Sequence, residues 1–422
     1  MNKKKLGAFV AIGASLLLMA GCGNGGSASS DKEKKEIVFW NPFTGGDSEY
    51  VKNMVDSYNK TNPEYKIKNV SLQQGDMYTK IPTIVNSGKN IPDLNIVHAE
   101  RIVQFQSNDL LEPLDNQLTD FPEINGDNYV KEAWNIGDVE GERYSVPLDI
   151  INIGTYYNKE LVDKYLPGAI DDNIITFDEI EQIGEKAKAD DIATVGYTVP
   201  RQQFFSLLSQ QGGSLTEDGT TPTLNTEQSK KTVEKWADLY KSGYTQKEGE
   251  DALQLFLSGK LVFFPEGIWI QSQVREAKFD WGLINSPQLS DDLSKAVNFA
   301  NSHQFVMLKN DNRTDEKEKG IMEFLEWIRT NSLEWANAGQ NPASLEFLNN
   351  EDYKNMKQSM FMTNPEEQGT LQIFDYRYNG YVTEYLDKYL NDAVFGKVNS
   401  DDFVNSMQKE VQDKINKDST NK

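Results

Sequence analysis

The chain has 422 residues, and because single hydrophobic cores stop growing at roughly 250 to 300 residues, this length predicts two domains. Its 43 Lys and Arg residues against 65 Asp and Glu residues give a formal net charge of −22, so long-range repulsion disfavours nucleic acid as a partner. A hydrophobic content of 38% with 26% charged residues is typical of a soluble globular protein rather than a membrane-embedded or disordered one.

The first residues have the pattern of an export signal. Three lysines, Lys3–Lys5, precede an apolar run over Leu6–Ala20 that is too short for a comfortable transmembrane span. The run ends in small residues, so residues 1–21 are predicted to be a signal peptide that is removed before Cys22. Cys22 is the only cysteine, which excludes disulfides and multi-thiolate metal sites. The Gly/Ser-rich and charged residues 22–35 predict a flexible tether.

Strands alternate with helices in the first part of the chain that follows the tether. The hydrophobic pattern predicts, in order, a strand over Glu36–Trp40, a helix over Tyr50–Tyr58, a strand over Tyr65–Leu72, a helix over Met77–Val85, a strand over Asp93–Val97 and a helix over Ile102–Leu111. Such alternation implies a parallel sheet covered on both faces, with ligands at the carboxyl ends of its strands. The residues that follow these strands include aromatic, amide and charged side chains: Trp40, Asn41, Phe43, Gln74, Glu100 and Arg101.

An unusually long extended stretch covers Arg143–Lys159 and is interrupted by Pro147 and Gly154. Because a typical strand has about 5 to 6 residues, we expect this stretch to leave the first domain and enter the second near Asp149. Strand and helix patterns continue beyond it, among them a helix over Gln202–Ser209. The sequence therefore predicts a second domain of the same α/β class.

The stretch Ser258–Arg275 holds a tryptophan in an unusual setting. Leu261–Phe264 is an apolar run suited to a buried strand, and we expect Pro265 and Gly267 to end that strand in a turn. Trp269 would then lie in the first turn of a helix, where backbone N–H groups lack partners and the local field is positive. A flat apolar face beside free donors suits a sugar ring. The alternative is that Trp269 fills the core, since tryptophan is highly buried on average.

The order of several motifs resembles one protein family. These motifs are the apolar signal ending LMAGC, the first-strand WNPFTGGD, PDLNIVHAER, YSVPLDIINIGTYYNKEL, GKLVFFPEGIW, SHQFVMLKN and AGQNPAS. Together they resemble the extracellular solute-binding proteins of bacterial ABC sugar importers, the family that includes maltose-binding protein. The resemblance covers nearly all of the mature chain.

This resemblance implies two α/β lobes, each a mainly parallel sheet flanked by helices, that close on a ligand in the cleft between them. The N-terminal lobe would comprise 36–148 plus 303–345 and the C-terminal lobe 152–297 plus 350–418, with hinges near 149–151 and 298–302. The family's ligand-facing positions fall on residues in both lobes: Trp40, Asn41, Phe43, Gln74, Glu100, Arg101, Asp149, Phe204, Trp269, Tyr376 and Arg377.

The side chains at these positions suit a sugar on chemical grounds as well. A sugar has apolar C–H faces and a rim of hydroxyls, so aromatic rings, carboxylates, amides and arginine bind it. A glycoside hydrolase stays open as an alternative, because Glu100, Asp149 or Glu266 could supply the pair of carboxylates that it needs. For His98 and His303, the only histidines, a structural role is favoured over metal ligation, and no cofactor or metal is predicted.

The resemblance also implies partners and a location. The LMAGC ending resembles a lipobox, which implies that Cys22 is lipidated and anchors the chain to the extracellular face of the bacterial cytoplasmic membrane. A monomer would deliver its sugar, an oligosaccharide, to two permease subunits of an ABC importer. A surface carbohydrate-binding module and a binding protein for a solute other than sugar remain as alternatives.

Overall fold

The computed structural model describes residues 35–363, 368–374 and 376–420, with the side chains of 418–420 left out. The predicted signal peptide, Cys22 and nearly all of the predicted tether therefore lie outside the described residues. The strands in chain order are β1 Glu36–Asn41, β2 Lys66–Ser71, β3 Leu94–His98, β4 Asp138–Val139, β5 Glu142–Arg143, β6 Val146–Pro147, β7 Asp149–Asn158, β8 Ala193–Val195, β9 Leu261–Gly267, β10 Trp281–Ile284, β11 Val297–Asn301, β12 His303–Val306, β13 Asn341–Pro342 and β14 Thr370–Ile373.

Helices cover both sheets that these strands form. In chain order they are α1 Ser48–Lys60, α2 Gln74–Ser87, α3 Ile102–Ser107, α4 Asp115–Leu118, α5 Lys131–Asn135, α6 Lys159–Tyr165, α7 Phe177–Ala187, α8 Pro200–Gln210, α9 Glu227–Ser242, α10 Ala252–Leu257, α11 Gln271–Val274, α12 Asp315–Asn331, α13 Leu333–Asn337, α14 Leu345–Leu348, α15 Glu351–Lys354, α16 Met360–Thr363, α17 Asn379–Val394 and α18 Ser400–Thr420. Among the described residues, no helix combines the length and apolar character needed to cross a membrane.

The first sheet has the strand order β2-β1-β3-β12-β6. β1 runs parallel to β2 and β3, as the alternating pattern predicted, whereas β12 runs antiparallel to β3 and β6. Side chains alternate across the sheet, so Phe39 and Ile96 enter one hydrophobic core while Trp40 and Val97 pack on the other face. Both faces of this sheet are therefore covered. We call this sheet with its helices the first lobe.

The second sheet follows the order β14-β11-β7-β9-β8, with β10 and β13 also paired to β7. It is mixed and not mainly parallel as the resemblance implied, because β7 runs antiparallel to every strand that it pairs with; the parallel pairs are β11 with β14 and β8 with β9. Helices α7, α8, α9, α17 and α18 contribute to its large core. We call this sheet with its helices the second lobe.

The chain passes between the lobes with almost no intervening residues. Leu148 alone separates β6 of the first sheet from β7 of the second, and Ser302 alone separates β11 from β12. The expectation that Arg143–Lys159 leaves one sheet and enters the other is thus confirmed. The two crossings are bonded together, because the Leu148 N–H donates to the His303 carbonyl at 2.8 Å and Ser302 Oγ donates to the Asp149 carbonyl at 2.6 Å. Hinge motion at these crossings stays a prediction.

Three local predictions were wrong. Pro265 does not end its strand: β9 continues to Gly267, since the neighbouring β8 pairs only as far as Phe263 and the missing N–H of Pro265 costs no bond on that side. Trp269 lies in a 3-10 turn over Ile268–Ile270 rather than in the first turn of an α-helix. The helix predicted to reach Leu111 ends at Ser107, because the backbone at Asp109 has φ of +56°.

Glu266 in β9 should make the stability of the fold depend on pH. Burial raises the pKa of Glu266 to about 7 from its ordinary value of 4.5. Between these pH values the unfolded chain ionises Glu266 while the folded chain keeps it protonated, so rising pH favours unfolding. We expect the free energy of unfolding of Glu266→Gln, relative to that of the wild type, to rise by up to about 3 kcal/mol between pH 4 and pH 8. Urea unfolding of both proteins at the two pH values measures this difference. A difference that is the same at pH 4 and at pH 8 would contradict the prediction.

Candidate functional site

A cavity of about 240 Å³ lies between the two lobes at the carboxyl ends of β1 and β3. We call it the cleft cavity. From the first lobe it is lined by Pro42, Phe43, Asp47, Gln74, His98, Glu100 and His303. From the second lobe it is lined by Ile151, Arg201, Gln202, Phe205, Trp269, Phe299, Ala300, Asn301, Phe374, Asn379 and Thr383. Its volume approaches the lower end of the range for small-molecule sites, about 300 to 1,000 Å³.

Trp269 lines the cleft cavity and at the same time packs against the core of the second lobe. Its ring lies directly over Gly267, because a Cβ atom built on Gly267 would be 2.1 Å from two ring atoms. Any side chain at position 267 would therefore push the ring away. The indole is thus partly buried against the core and partly borders the cavity, and its contact with a sugar stays a prediction.

Further aromatic rings border the cavity from both lobes. Phe43 is buried and packs edge-on against His303, with ring centroids 4.8 Å apart. On the second lobe, Phe205, Phe299 and Phe374 form a stack with interplanar angles of 13 to 26°. Flat apolar surfaces on opposite walls suit a ligand with two apolar faces.

Glu100 and Asp47 are the two carboxylates that line the cavity, and Glu100 is bonded to an amide. Nδ2 of Asn301 donates a hydrogen bond to Oε2 of Glu100 across the boundary between the lobes. Burial raises the pKa of Glu100, but three effects outweigh it and lower the net pKa: the charge that His98 carries at the acidic pH where Glu100 titrates, the charge of Arg201, and the Asn301 hydrogen bond. Glu100 therefore presents a charged acceptor at neutral pH.

The two histidines of the chain lie side by side, with ring centroids 4.7 Å apart. The Tyr78 hydroxyl lies 2.6 Å from Nδ1 of His98. Burial and the neighbouring His303 lower the pKa of His98 to about 4, so His98 is neutral at neutral pH. For His303, burial lowers the pKa, but the attraction of Asp149 and its hydrogen bond more than offset that and raise the pKa overall. Among the described residues, no group of three or more His, Cys, Asp or Glu side chains is arranged to hold a metal.

Asp149 lies behind the cavity and is fully buried. Its carboxylate accepts from the His303 backbone N–H at 2.8 Å, bonds the His303 ring at 2.7 Å and accepts from Nε1 of Trp335 at 2.8 Å. Because these three partners occupy the carboxylate, Asp149 supports the cavity wall and does not line it. Glu266 does not line it either, so of the three carboxylates considered for a hydrolase only Glu100 borders the cavity; a second carboxylate there, Asp47, was not among those three.

The structure thus brings Phe43, Gln74, Glu100 and Trp269 together and places the other predicted contacts elsewhere. Trp40 packs against the hydrophobic core that contains Val97, and Asn41 is buried with its side chain bonded to Asn69, Ser71 and the Phe43 N–H. Phe204 is in the core of the second lobe, and Arg101 borders an adjoining groove. Tyr376 donates to the Thr220 carbonyl, and Arg377 is exposed beside the Tyr378 ring. Asn41 and Tyr376 are held by partners that the sequence does not reveal.

Sequence reasoning missed Arg201 and Asn301. Arg201 lies in the first turn of α8, which begins at Pro200 after Val199, a β-branched residue in the left-handed region with φ of +42°. Such a conformation costs roughly 1 to 2 kcal/mol and sets the direction in which α8 enters the cleft. Pro200 was an available signal, since proline is favoured at the first position of a helix. Asn301 gives no comparable signal.

Comparison with known proteins identifies the class of protein. The sequence model of the family described as bacterial extracellular solute-binding protein matches residues 53–360, and the chain belongs to this family. The arabinooligosaccharide-binding protein of Bacillus subtilis (strain 168) is 26% identical over 228 residues, which are 53% of this chain and 51% of that protein. The chain spans about half the length of the arabinooligosaccharide-binding proteins that it matches. The maltodextrin-binding protein MdxE of Bacillus subtilis (strain 168) is 25% identical over 331 residues, 74% of this chain and 73% of that protein.

Solved structures share the fold. The maltose/maltodextrin-binding domain MalE from Bdellovibrio bacteriovorus, bound to maltotriose, superposes with a TM-score of 0.76 at 18% identity and covers 90% of this chain and 100% of its own. The ABC substrate-binding protein Lmo0181 from Listeria monocytogenes, in complex with cycloalternan, has a TM-score of 0.74 at 17% identity and covers 91% and 100%. The predicted two-lobed α/β fold is confirmed.

Proposed function

We propose that the chain captures a sugar, an oligosaccharide, in the cleft between its lobes and delivers it to an ABC importer. The observation that carries this proposal is the cleft cavity itself, which is lined from both lobes by aromatic rings and by the hydrogen-bonding groups of Glu100, Arg201 and Asn301. Aromatic faces contact the C–H surfaces of a sugar, and the charged and amide groups bond its hydroxyls. Relatives whose names specify arabinooligosaccharide or maltodextrin binding support the same ligand class.

The mechanism that we propose is closure of the two lobes around the ligand. Because Glu100 and Phe43 belong to one lobe and Trp269 and Arg201 to the other, only a closed cleft contacts the ligand on both sides. Ligand binding energy would then favour the closed form. The closed form would dock on the permease subunits of the importer.

A thermal-shift screen tests the ligand class. A ligand at 100 times its Kd adds about 2.7 kcal/mol to the stability of a protein that binds it only when folded. We expect at least one member of a panel of maltodextrins, arabino-oligosaccharides and manno-oligosaccharides to raise the unfolding temperature, and that ligand to reduce the radius of gyration in X-ray scattering. A panel of amino acids and peptides serves as the control. A shift with those solutes and none with sugars would contradict the proposal.

Incubation with the sugar found in this screen distinguishes a binding protein from a glycoside hydrolase. We propose that the chain is a binding protein and not an enzyme, supported by the solute-binding family to which it belongs and by relatives whose names specify sugar binding. An overnight incubation followed by mass spectrometry should return the bound sugar unchanged. Cleaved products would favour the hydrolase. Binding without compaction would favour a surface carbohydrate-binding module.

We also propose that the mature chain begins at a lipidated Cys22 and is held on the extracellular face of the membrane. The support is the signal-like first 21 residues with a single cysteine directly after them. In a Gram-positive host, Cys22→Ala should move the protein from the membrane fraction into the medium or leave it unprocessed. Ser27→Ala in the tether is the matched control. Membrane retention of Cys22→Ala with its signal peptide removed would contradict the anchor.

A further inference from the structure

Three stretches that are far apart in the sequence meet beside the cleft cavity. Residues 44–47, before α1, and residues 333–339, which contain α13, belong to the first lobe, whereas residues 268–275, which contain α11, follow β9 of the second lobe. We call their meeting place the lobe junction; its contacts are made by Gly46, Asn337 and Gly339 on one side and Gln271, Ser272 and Arg275 on the other. None of these six residues lines the cleft cavity.

Gly46 brings the loop before α1 into direct contact with α11. A Cβ atom built on Gly46 would be 2.8 Å from Oγ of Ser272 and 3.5 Å from Nε2 of Gln273. Apart from its chain neighbours, the three nearest atoms all belong to these two residues of the second lobe, and the backbone of Gly46 is not left-handed. A side chain at position 46 is therefore compatible with the first lobe by itself and conflicts only with the second.

Hydrogen bonds also join α11 to α13 across the lobe junction. Nη1 of Arg275 donates to the Asn337 carbonyl at 2.9 Å. Nε2 of Gln271 donates to Oε1 of Gln358 at 2.8 Å, and Nε2 of Gln358 donates to the Ala336 carbonyl at 2.8 Å, which makes a buried relay between the two helices. The last carbonyls of a helix lack intrahelical partners, so those of α13 are open to donors from the second lobe.

The lobe junction is connected to Trp269 through the 3-10 turn Ile268–Ile270. A Cβ atom built on Gly339 would be 2.6 Å from the Ile268 carbonyl oxygen and 2.8 Å from Cβ of Gln271. The first lobe thus packs against residues on both sides of Trp269 in the chain. The position of the indole, which forms part of the cavity wall, therefore depends on how closely the two lobes approach each other at the junction.

We propose that the lobe junction is a latch, whose contacts form when the lobes close and fix how far they close. Gly46, Ser272 and Arg275 then act as positioning residues, which set the affinity for the sugar through Trp269 without contacting the sugar. A contact made only in the closed form shifts the equilibrium toward that form and lowers the apparent Kd. This inference rests on the proposed function, and it assigns part of the closing free energy to contacts that the ligand does not make.

Isothermal titration of the full mature protein with maltotriose, arabinotriose and mannotriose tests the latch, and the trisaccharide that binds the wild type serves for the variants. Gly46→Leu should hold the lobes apart and raise the Kd about tenfold or more. Gly45→Leu is the matched control and should leave the Kd unchanged, because Gly45 is exposed and no atom of the second lobe lies within 4 Å of a Cβ atom there. Thermal unfolding of each variant shows that it is folded.

Arg275 gives an independent test of the same latch. Arg275→Ala removes the bond to the Asn337 carbonyl and should raise the Kd roughly two- to tenfold. Arg275→Lys keeps a donor at this position and should recover most of the loss. A purely structural role of Arg275 would lower the unfolding temperature and leave the Kd unchanged.

A pair of cysteines shows whether the lobe junction opens and closes. Because Oγ of Ser272 is 2.8 Å from the Cβ position of Gly46, a disulfide between these two positions is within reach. In the chain with Cys22→Ser, Gly46→Cys and Ser272→Cys, the trisaccharide should speed oxidation to the disulfide about threefold or more, since it favours the closed form. The oxidised protein should also retain the bound sugar through dialysis.

The outcomes separate the latch from the proposed function. An unchanged Kd for Gly46→Leu, or an equal rise for Gly45→Leu, would overturn the latch. Oxidation of the cysteine pair at the same rate with and without sugar would do so too, because the junction would then be a fixed part of the fold. If the wild type binds no sugar of the wider panel, the proposed function fails. Ready oxidation of the pair would in that case support the junction contact, and failure to oxidise would overturn it as well.

Discussion

Replacing Trp269 with alanine should weaken sugar binding by about 1 to 3 kcal/mol, roughly 5- to 150-fold in Kd. The indole lines the cleft cavity and is held there by its position over Gly267, so its removal takes away one apolar wall. Titration calorimetry with the best sugar of the screen measures the change. We expect the affinity loss without a comparable loss of fold, because Trp269 is only partly buried in the core.

Two companion variants of the second lobe make the Trp269 result specific. Trp281→Ala removes a tryptophan that packs against Tyr156 with centroids 5.8 Å apart and does not line the cavity. It should leave the Kd unchanged. Gly267→Val keeps the indole but displaces it, and should weaken binding as Trp269→Ala does. An unchanged Kd for Trp269→Ala would remove this residue from the site.

Replacing Asp149 with alanine should destabilise the protein by roughly 3 to 5 kcal/mol, the loss expected when one partner of a buried ion pair is removed. Asp149 is fully buried and its carboxylate bonds His303 twice and Trp335 once. Without it, these donors stay buried and unpaired. Urea unfolding measures the change in the free energy of unfolding. Asp280→Ala, which removes an exposed partner of Lys159, is the control and should have little effect.

The destabilisation of Asp149→Ala should depend on pH. The pKa of His303 is raised in the folded state, so the stabilisation from its pair with Asp149 is fully present below the ordinary pKa of 6.5 and is lost as the pH rises through the raised pKa. The variant should therefore differ more from the wild type at pH 6 than at pH 9. A difference that grows toward high pH would contradict a charged pair.

Much of the fold could be predicted because its signals are local. The strand predicted over Glu36–Trp40 ends one residue later, and the helix predicted over Gln202–Ser209 extends by two residues at its start and one at its end. The long stretch Arg143–Lys159 correctly indicated the passage between sheets. Periodic burial and proline or glycine positions are properties of neighbouring residues, so the sequence displays them directly.

The candidate site was predicted less completely because its geometry depends on distant contacts. Phe204 and Phe205 are adjacent in α8, and only the packing of α8 on the second core decides that Phe205 faces the cavity. Glu100 and Asn301 meet although 201 residues separate them. Neither the orientation of Phe205 nor the contact between Glu100 and Asn301 changes the local hydrophobic pattern, so no sequence signal identifies these residues as part of the site.

The order of the amino acids alone predicted strands alternating with helices, the passage of Arg143–Lys159 from one sheet to another, and the presence of Trp269 after a buried strand. These follow from hydrophobic periodicity and turn chemistry, which act over a few residues. The tertiary structure decided which side chains border the cavity, that Asp149 supports His303 from behind, and that Arg101 belongs to an adjoining groove. Those outcomes require strands and helices from both lobes to meet, and their contacts join residues far apart in the chain.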